Sequence, residues 1–427
     1  MKIRPMFCAV LAAMALSATA EAQGELSYSQ ALRDGRYLDA LDLIEAPANF
    51  PPEVASQIVA QFERSVYSMT GRHFLGYGMT EGWEPVEPGE ALDPVLASLF
   101  PVDAVDAIAE AATGRQVVII NEAHNDARHR AFATRLLRRL ADDGFTHFAA
   151  ETFGRPEQVE EAVSLGYPTR NTGFYSMEPV FGDLVRSAMA MGLGLVRYEV
   201  TMEQRCSGEC DQAAQIRARE RAQATNLAAF LDANPDSRVV VFVGYQHLDE
   251  TGDENGDGVL EGWMAAELTA LTGIDPLTVD QQQGTIYGSG YNPPVPVGLA
   301  EHFDITRPTT FRDTNGGWFS DTFQRTVDML VVHPFLQLGP GGRPDWMAMD
   351  GYRSPHIVAA ESLPVTGPFL VQAFVADEGD GAIPMDQYLV REGETGPVTL
   401  MLPAGRYRLM LQSAGEADRE LGEIEMP

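Results

Sequence analysis

The chain is poor in cysteine, with 3 among 427 residues, which excludes a disulfide-stapled scaffold. Beyond its first 22 residues it has no apolar run of membrane-spanning length, which excludes a helical membrane anchor in the rest of the chain. Basic residues are scarce as well, 30 Lys and Arg against 61 Asp and Glu, for a formal net charge of −31. Such a surface repels nucleic acid and anionic lipid, so neither is expected as a partner. There is no G-x-S-x-G elbow, H-E-x-x-H helix, P-loop or G-x-G-x-x-G turn. A nucleophile-elbow serine hydrolase, a zincin and a nucleotide enzyme therefore lack their usual marks. No fixed-period repeat and no low-complexity tract appears.

What is present begins with Lys2 and Arg4, an apolar run over 6–16 and the small-residue end Ala20-Glu21-Ala22. This reads as a secretory signal over residues 1–22 and predicts a periplasmic or secreted mature protein. Cys8 lies inside the apolar run, away from any lipobox. In an oxidising compartment the remaining pair, Cys206 and Cys210, is expected as a local disulfide, with a C-x-x-x-C metal site as the other reading.

Residues 28 to about 70 read as two amphipathic helices, ALRDGRYLDALDLIEA and PPEVASQIVAQFERSVYSM, forming a helical preface to the core. From residue 116 short apolar runs alternate with helical stretches: QVVIIN, HFAAE, LVRYE, RVVVFVG, PLTVDQ and DMLVVHP. That alternation predicts an α/β fold, a mostly parallel sheet flanked by helices over 126–142, 180–192, 212–233 and 261–272. From residue 364 the alternating runs PFLVQAFVA, GPVTLMLP and GRYRLMLQ predict a small C-terminal β domain, sandwich-like, over 364–427. Residues 23–363 then make up the helical preface and the α/β domain.

Four expected strands run into residues able to do acid/base or metal chemistry. The first leads to Glu122 and His124, the second ends at Glu151, the third at Glu199, and the fourth leads to Gly244 and His247. Parallel strands put those ends on one sheet edge, where ligands bind. A histidine there can take a proton from water while carboxylates orient its ring. The set His124, His247, Glu122 and Glu151 can equally be read as ligands of a divalent metal. A strand-terminal carboxylate alone is more often a cap or a salt-bridge partner; the repetition on one edge makes the case. His129 stands either behind the site or on a helix surface, and His333 is an outlying candidate. Asp253-Glu254-Asn255-Gly256-Asp257-Gly258 resembles the start of a calcium loop, but its twelfth position is Met264.

The stretch NEAHNDARHRAFATRLLRRLADDGFTHFAAE over 121–151 resembles the erythromycin esterase and ChaN-like superfamily, which includes the TIKI-type proteases. That family's G-E-x-H start, strand-ending Glu and later G-x-x-H match Glu122 and His124, Glu151, and Gly244 with His247. The helix RERAQATNLAAFL is similar to the family's R-D-x-x-M-A-x-N helix and carries over Arg219 and Asn226. Asn121 stands where the family has Gly, and Gln223-Ala224 where it has Met-Ala. The resemblance covers about residues 115–285. It implies an exported hydrolase of an ester or amide bond, metal-assisted or not, acting on a small molecule or peptide. His124 or His247 would activate water, Glu122 and Glu151 would orient or balance charge, and Arg219 would face an oxyanion or carboxylate. Glu199, Asn226 and His129 would support them. The same resemblance admits a haem- or metal-binding uptake protein without turnover.

Overall fold

A computed structural model describes residues 28–46, 56–78, 93–206, 208, 210–254, 260–287, 294–320 and 325–427. The signal expected over residues 1–22 lies outside them, as does most of the calcium-like loop, of which Asp253 and Glu254 end a short strand.

The fold is α/β, built on six parallel strands: β1 (Val117–Glu122), β2 (His147–Ala150), β3 (Gly194–Val196), β4 (Val239–Gly244), β5 (Leu277–Asp280) and β6 (Met329–Leu330). Their order across the sheet is β6-β5-β1-β4-β2-β3, and every pairing is parallel. β1 and β4 are buried along their whole length, as near-continuous Val/Ile runs in the middle of a parallel sheet must be. Successive side chains serve opposite faces. Val118, Ile120, Phe148, Val240 and Phe242 pack in one cluster with helices α4 (Ala127–Asp142) and α5 (Pro179–Ala190). Val117, Ile119, Ala149, Val239 and Val241 pack in the other with α6 (Gln212–Ala233) and α7 (Met264–Thr272). The chain leaves β1 in one direction for β2 and β3, and reaches β5 and β6 on the other side. The crevice outside β1 and β4 is therefore the topological switch point, where α/β sheets bind ligands.

The expected first amphipathic helix is two, α1 (Tyr28–Arg33) and α2 (Tyr37–Glu45), because Gly35 turns the chain at φ +77°. With α3 (Ser56–Met69) they pack on Met177 of the α/β domain, and Tyr37 donates to the Met177 carbonyl at 3.0 Å. Leu32, Leu38, Leu41 and Ile44 share that cluster with Leu370 and Leu389 of the C-terminal strands as well. The C-terminal unit holds β7 (Ser354–Val358), β8 (Phe369–Val375), β9 (Asp386–Val390), β10 (Val398–Leu402), β11 (Gly405–Ser413) and β12 (Arg419–Met426), all paired antiparallel. β7 pairs with β10, so the unit starts upstream of residue 364; Ser354 and Pro355 gave β7 no readable strand signal. The unit is tied to the core by Arg353, which is fully buried. Arg353 donates to Asp183 of α5 at 2.6 Å and to the carbonyls of Met385 and Met401 at 3.1 and 3.3 Å. Cys206 and Cys210 are joined as a disulfide. Among the described residues no helix is long and apolar enough to cross a membrane.

Candidate active site

The ends of β1, β2 and β4 deliver Glu122, His124, Glu151 and His247 into one nearly closed crevice, each at most 8% exposed. β3 stops at Val196, and Glu199 reaches the same crevice from the extended segment that follows. Register explains the meeting: Glu122 lies beside Gly244, and Ala150 beside Phe242.

Two histidine–carboxylate pairs face one shared carboxylate. His124 holds Glu122 Oε1 through Nδ1 at 2.9 Å, and His247 holds Glu220 Oε2 through Nδ1 at 2.8 Å. Both remaining nitrogens look toward Glu151 Oε1, at 3.9 Å for His124 Nε2 and 3.7 Å for His247 Nε2. Arg219 fills the space between the pairs. It donates to Glu151 at 2.5 Å, to Glu199 Oε1 at 3.0 Å and to His247 Nε2 at 3.1 Å. His124 Nε2 alone carries no hydrogen bond among the described residues. The His124 ring is clamped by Tyr175, stacked at 3.8 Å, and meets the edge of Tyr245 at 5.0 Å.

Charge is fixed by pairing. Burial pushes the Glu122 carboxyl up, but the Arg130 guanidinium and the His124 contact outweigh it and hold it below the usual range. Glu151 is likewise held far down, because Arg219 and both histidines outweigh burial. Burial lowers His247, yet Glu220 and Glu151 together raise it above the ordinary value of 6.5. Neutral His247 accepts from Arg219, and the protonated ring can turn its Nε2–H toward Glu151. A raised histidine stabilises the fold fully below the unfolded value, and that contribution is lost as pH rises through the folded value. Replacing His247 by Gln should therefore cost more stability at about pH 5.5 than at about pH 9, measured by denaturant titration; an equal cost at both would contradict the pairing.

Gly244 makes the crevice possible. A Cβ there would lie 2.4 Å from His124 Cε1, 2.6 Å from its Nε2 and 2.9 Å from Glu151 Oε2. Its own amide donates to Glu151 Oε2 at 2.6 Å. Gly244→Ala should thus push the imidazole aside. The expected cost is about 1–3 kcal/mol of stability and, from a misplacement near 1 Å, roughly 10²-fold of any activity that uses His124. Wild-type activity in that variant would refute the contact.

The supporting residues fall into place unevenly. Asn226 donates to the carbonyls of Tyr198 and Glu199 at 3.0 and 3.2 Å, and so shapes the segment that presents Glu199. His129 is buried, not on the helix surface; its Nδ1 accepts from the Ala123 amide at 3.0 Å and its Nε2 meets Thr285 Oγ1 at 2.8 Å. It braces the loop that carries His124. His333 lies behind the site, bonded to Gln281 at 3.1 Å. Asn121 ties strand ends together, donating to Tyr245 O and Asp280 Oδ1 and accepting from the Gln281 amide.

Sequence reasoning missed Arg130, Glu178, Glu220 and Tyr175. Arg130 is 1% exposed and bonds Glu122 at 2.6 and 3.0 Å, Glu178 at 3.0 Å and the His124 carbonyl at 2.7 Å. Glu178 in turn caps α5, accepting from the Val180 and Phe181 amides. Adjacency to Arg219 was the available signal for Glu220, and no local signal marks Tyr175.

The metal reading of His124, His247, Glu122 and Glu151 does not fit the donor set. Arg130 and His124 occupy Glu122, Arg219 and the Gly244 amide occupy Glu151, and Arg219 also meets His247 Nε2. A guanidinium sits where a cation would be held. Among the described residues no group of three or more His, Cys, Asp or Glu is arranged to bind a metal ion.

No protein-family model and no curated protein sequence matches the chain. Among solved structures it is similar to RRSP, a MARTX toxin effector domain from Vibrio vulnificus CMCP6, at 16% identity and a TM-score of 0.35, covering 60% of this chain and 55% of that one. It is similar to the type III effector HopBA1 at 14% identity and a TM-score of 0.28, covering 44% of this chain and 87% of that one. The C-terminal region of Pasteurella multocida toxin, described with a thiol-protease like catalytic triad, matches at 12% identity and a TM-score of 0.31, covering 89% of this chain and 54% of that one. The chain thus spans 55% of the length of the first of these structures.

Proposed function

We propose that this protein is an exported hydrolase of an ester or amide bond, a member of the erythromycin esterase and ChaN-like superfamily, with His124 as its general base. One observation carries the reading. His124 is oriented by a carboxylate on Nδ1 and has an unengaged Nε2 that looks toward Glu151 Oε1, the oxygen the Arg219 guanidinium holds. That is the arrangement a base needs to activate water and an electrophile needs to meet the developing oxyanion.

In the proposed reaction a water oxygen bonds to the substrate's carbonyl carbon while His124 Nε2 takes its proton. Glu122 balances the imidazolium that forms, and Arg130 keeps that carboxylate ionised and in place. The carbonyl oxygen, now an anion, faces Arg219 and His247. As the C–O or C–N bond breaks, the proton on His124 passes to the leaving group. Glu151 and Glu199 hold Arg219 in position from either side.

A screen of esters and peptides under chelating conditions tests this reading. Turnover that survives the chelator and disappears in His124→Ala is the expected result. No turnover, together with a Soret band from stoichiometric haem uptake, would replace it with the uptake reading.

A further inference from the structure

Tyr175 touches the proposed base and has not spent its hydroxyl. Its ring stacks on His124 at 3.8 Å with the planes 13° apart, and the residue is 7% exposed. The hydroxyl makes no hydrogen bond among the described residues and is not sealed from solvent, so a water or a substrate oxygen reaches it. The other aromatic ring on His124 differs, since Tyr245 turns its hydroxyl to Asn125 Oδ1 at 3.5 Å. For stacking alone, phenylalanine would serve at position 175 as well.

The backbone holds the phenol in place. Tyr175 opens a single 3-10 turn, Tyr175–Met177. Thr152 Oγ1 accepts from the Tyr175 and Ser176 amides at 2.8 and 3.2 Å, and Thr152 directly follows Glu151. Gly173 permits that approach, because a Cβ there would lie 2.0 Å from the Thr152 carbonyl oxygen. Three residues past Tyr175, Glu178 receives Arg130 at 3.0 Å. The phenol is thus anchored by the strand end that presents Glu151 and by the arginine that holds Glu122. Burial, and then the Glu151 carboxylate, hold it well above its ordinary value of 10, so it stays a donor at neutral pH. Glu151 is the charge it feels most, and His124 Nε2 looks toward Glu151 as well.

We propose that Tyr175 is a further catalytic residue of this centre, on the reading of His124 as its base: the Tyr175 hydroxyl donates to the substrate's carbonyl oxygen and holds it as it becomes an anion. Arg219 is less free to do so, because its Nε, Nη1 and Nη2 already bond Glu199, His247 and Glu151. A fixed donor with no prior partner is preorganised for charge that develops only in the transition state. The phenol keeps its proton throughout, and the proton taken by His124 goes to the leaving group.

Tyr175→Phe keeps the stack and removes only the hydroxyl. On an ester or amide that the wild-type protein cleaves, kcat should fall by about 10²-fold, with KM within about 3-fold and the melting temperature unchanged. Dimethylphosphinate, a tetrahedral anion that is not hydrolysed, gives a readout without turnover. Calorimetry should show it bound at least about 10-fold more tightly by the wild-type protein than by Tyr175→Phe. Where turnover exists the kcat comparison decides, and a kcat within about 3-fold of wild type would overturn the assignment. Where no ester or amide is cleaved the phosphinate decides. Binding that weakens in Tyr175→Phe then keeps the donor and rejects only the hydrolase reading, whereas equal affinity, or no binding to the wild-type protein, overturns the donor too.

Discussion

Replacing His124 by Ala should abolish turnover, by about 10² to 10⁴-fold if general-base catalysis is its whole contribution, while the protein remains folded. The magnitude follows from what the side chain does. His124 spends Nδ1 on Glu122 and leaves Nε2 toward the crevice, so its main loss is a proton acceptor. A structural cost is also expected, because Tyr175 loses its stacking partner at 3.8 Å. That contact is worth about 0.5–1.5 kcal/mol, which lowers the melting temperature without unfolding the chain. Specific activity per folded molecule and melting temperature, measured on the same variant, separate the two effects. Unchanged specific activity with a lowered melting temperature would make His124 a packing residue and end its assignment as base.

Arg130→Ala should be the most destabilising single change near the site, at about 3–5 kcal/mol. The substitution strands two buried carboxylates, Glu122 and Glu178, and removes a donor from the His124 carbonyl. Removing one partner of a buried pair costs far more than removing an exposed one, because the charge left behind has no water to turn to. Arg155 and Glu157, whose side chains are 73% and 62% exposed, make the control: Arg155→Ala should cost no more than about 1 kcal/mol. Denaturant midpoints for the two variants compare them directly. Similar small losses in both would mean that Arg130 is not the internal counter-ion described above.

The contrast between those arginines also marks what sequence reading reaches. Long apolar runs such as VVIINE and VVVFVG are legible as central parallel strands, because burial on both faces demands them. The residues that follow such runs are legible as candidate chemistry, because parallel strands end on one edge; Glu122, His124, Glu151 and His247 were found this way. Arg130 was not, since an arginine among ARHRAFATRLLRRLAD reads as part of a solvated helix face. Its burial depends on Glu178, which arrives from a different helix N-terminus 48 residues along the chain. Tyr175 is placed by the Thr152 side chain, which accepts from its amide at 2.8 Å, a contact between a turn and a single 3-10 turn with no periodic signature. The metal reading failed for a related reason. Side-chain types at strand ends show which groups converge, but not that Arg219 and Arg130 reach them first.

The central claim is that His124 and His247 serve one hydrolytic centre through the shared Glu151 and Arg219. Groups that act as a unit lose activity together, so their deletions do not add. The direct measurement is kcat/KM for His124→Ala, His247→Ala and the double variant, on whichever ester or amide the wild-type protein cleaves. The account predicts that the double variant is no worse than the more damaged single one, within about 3-fold. Losses that multiply across the two sites, or activity retained in both single variants, would contradict it.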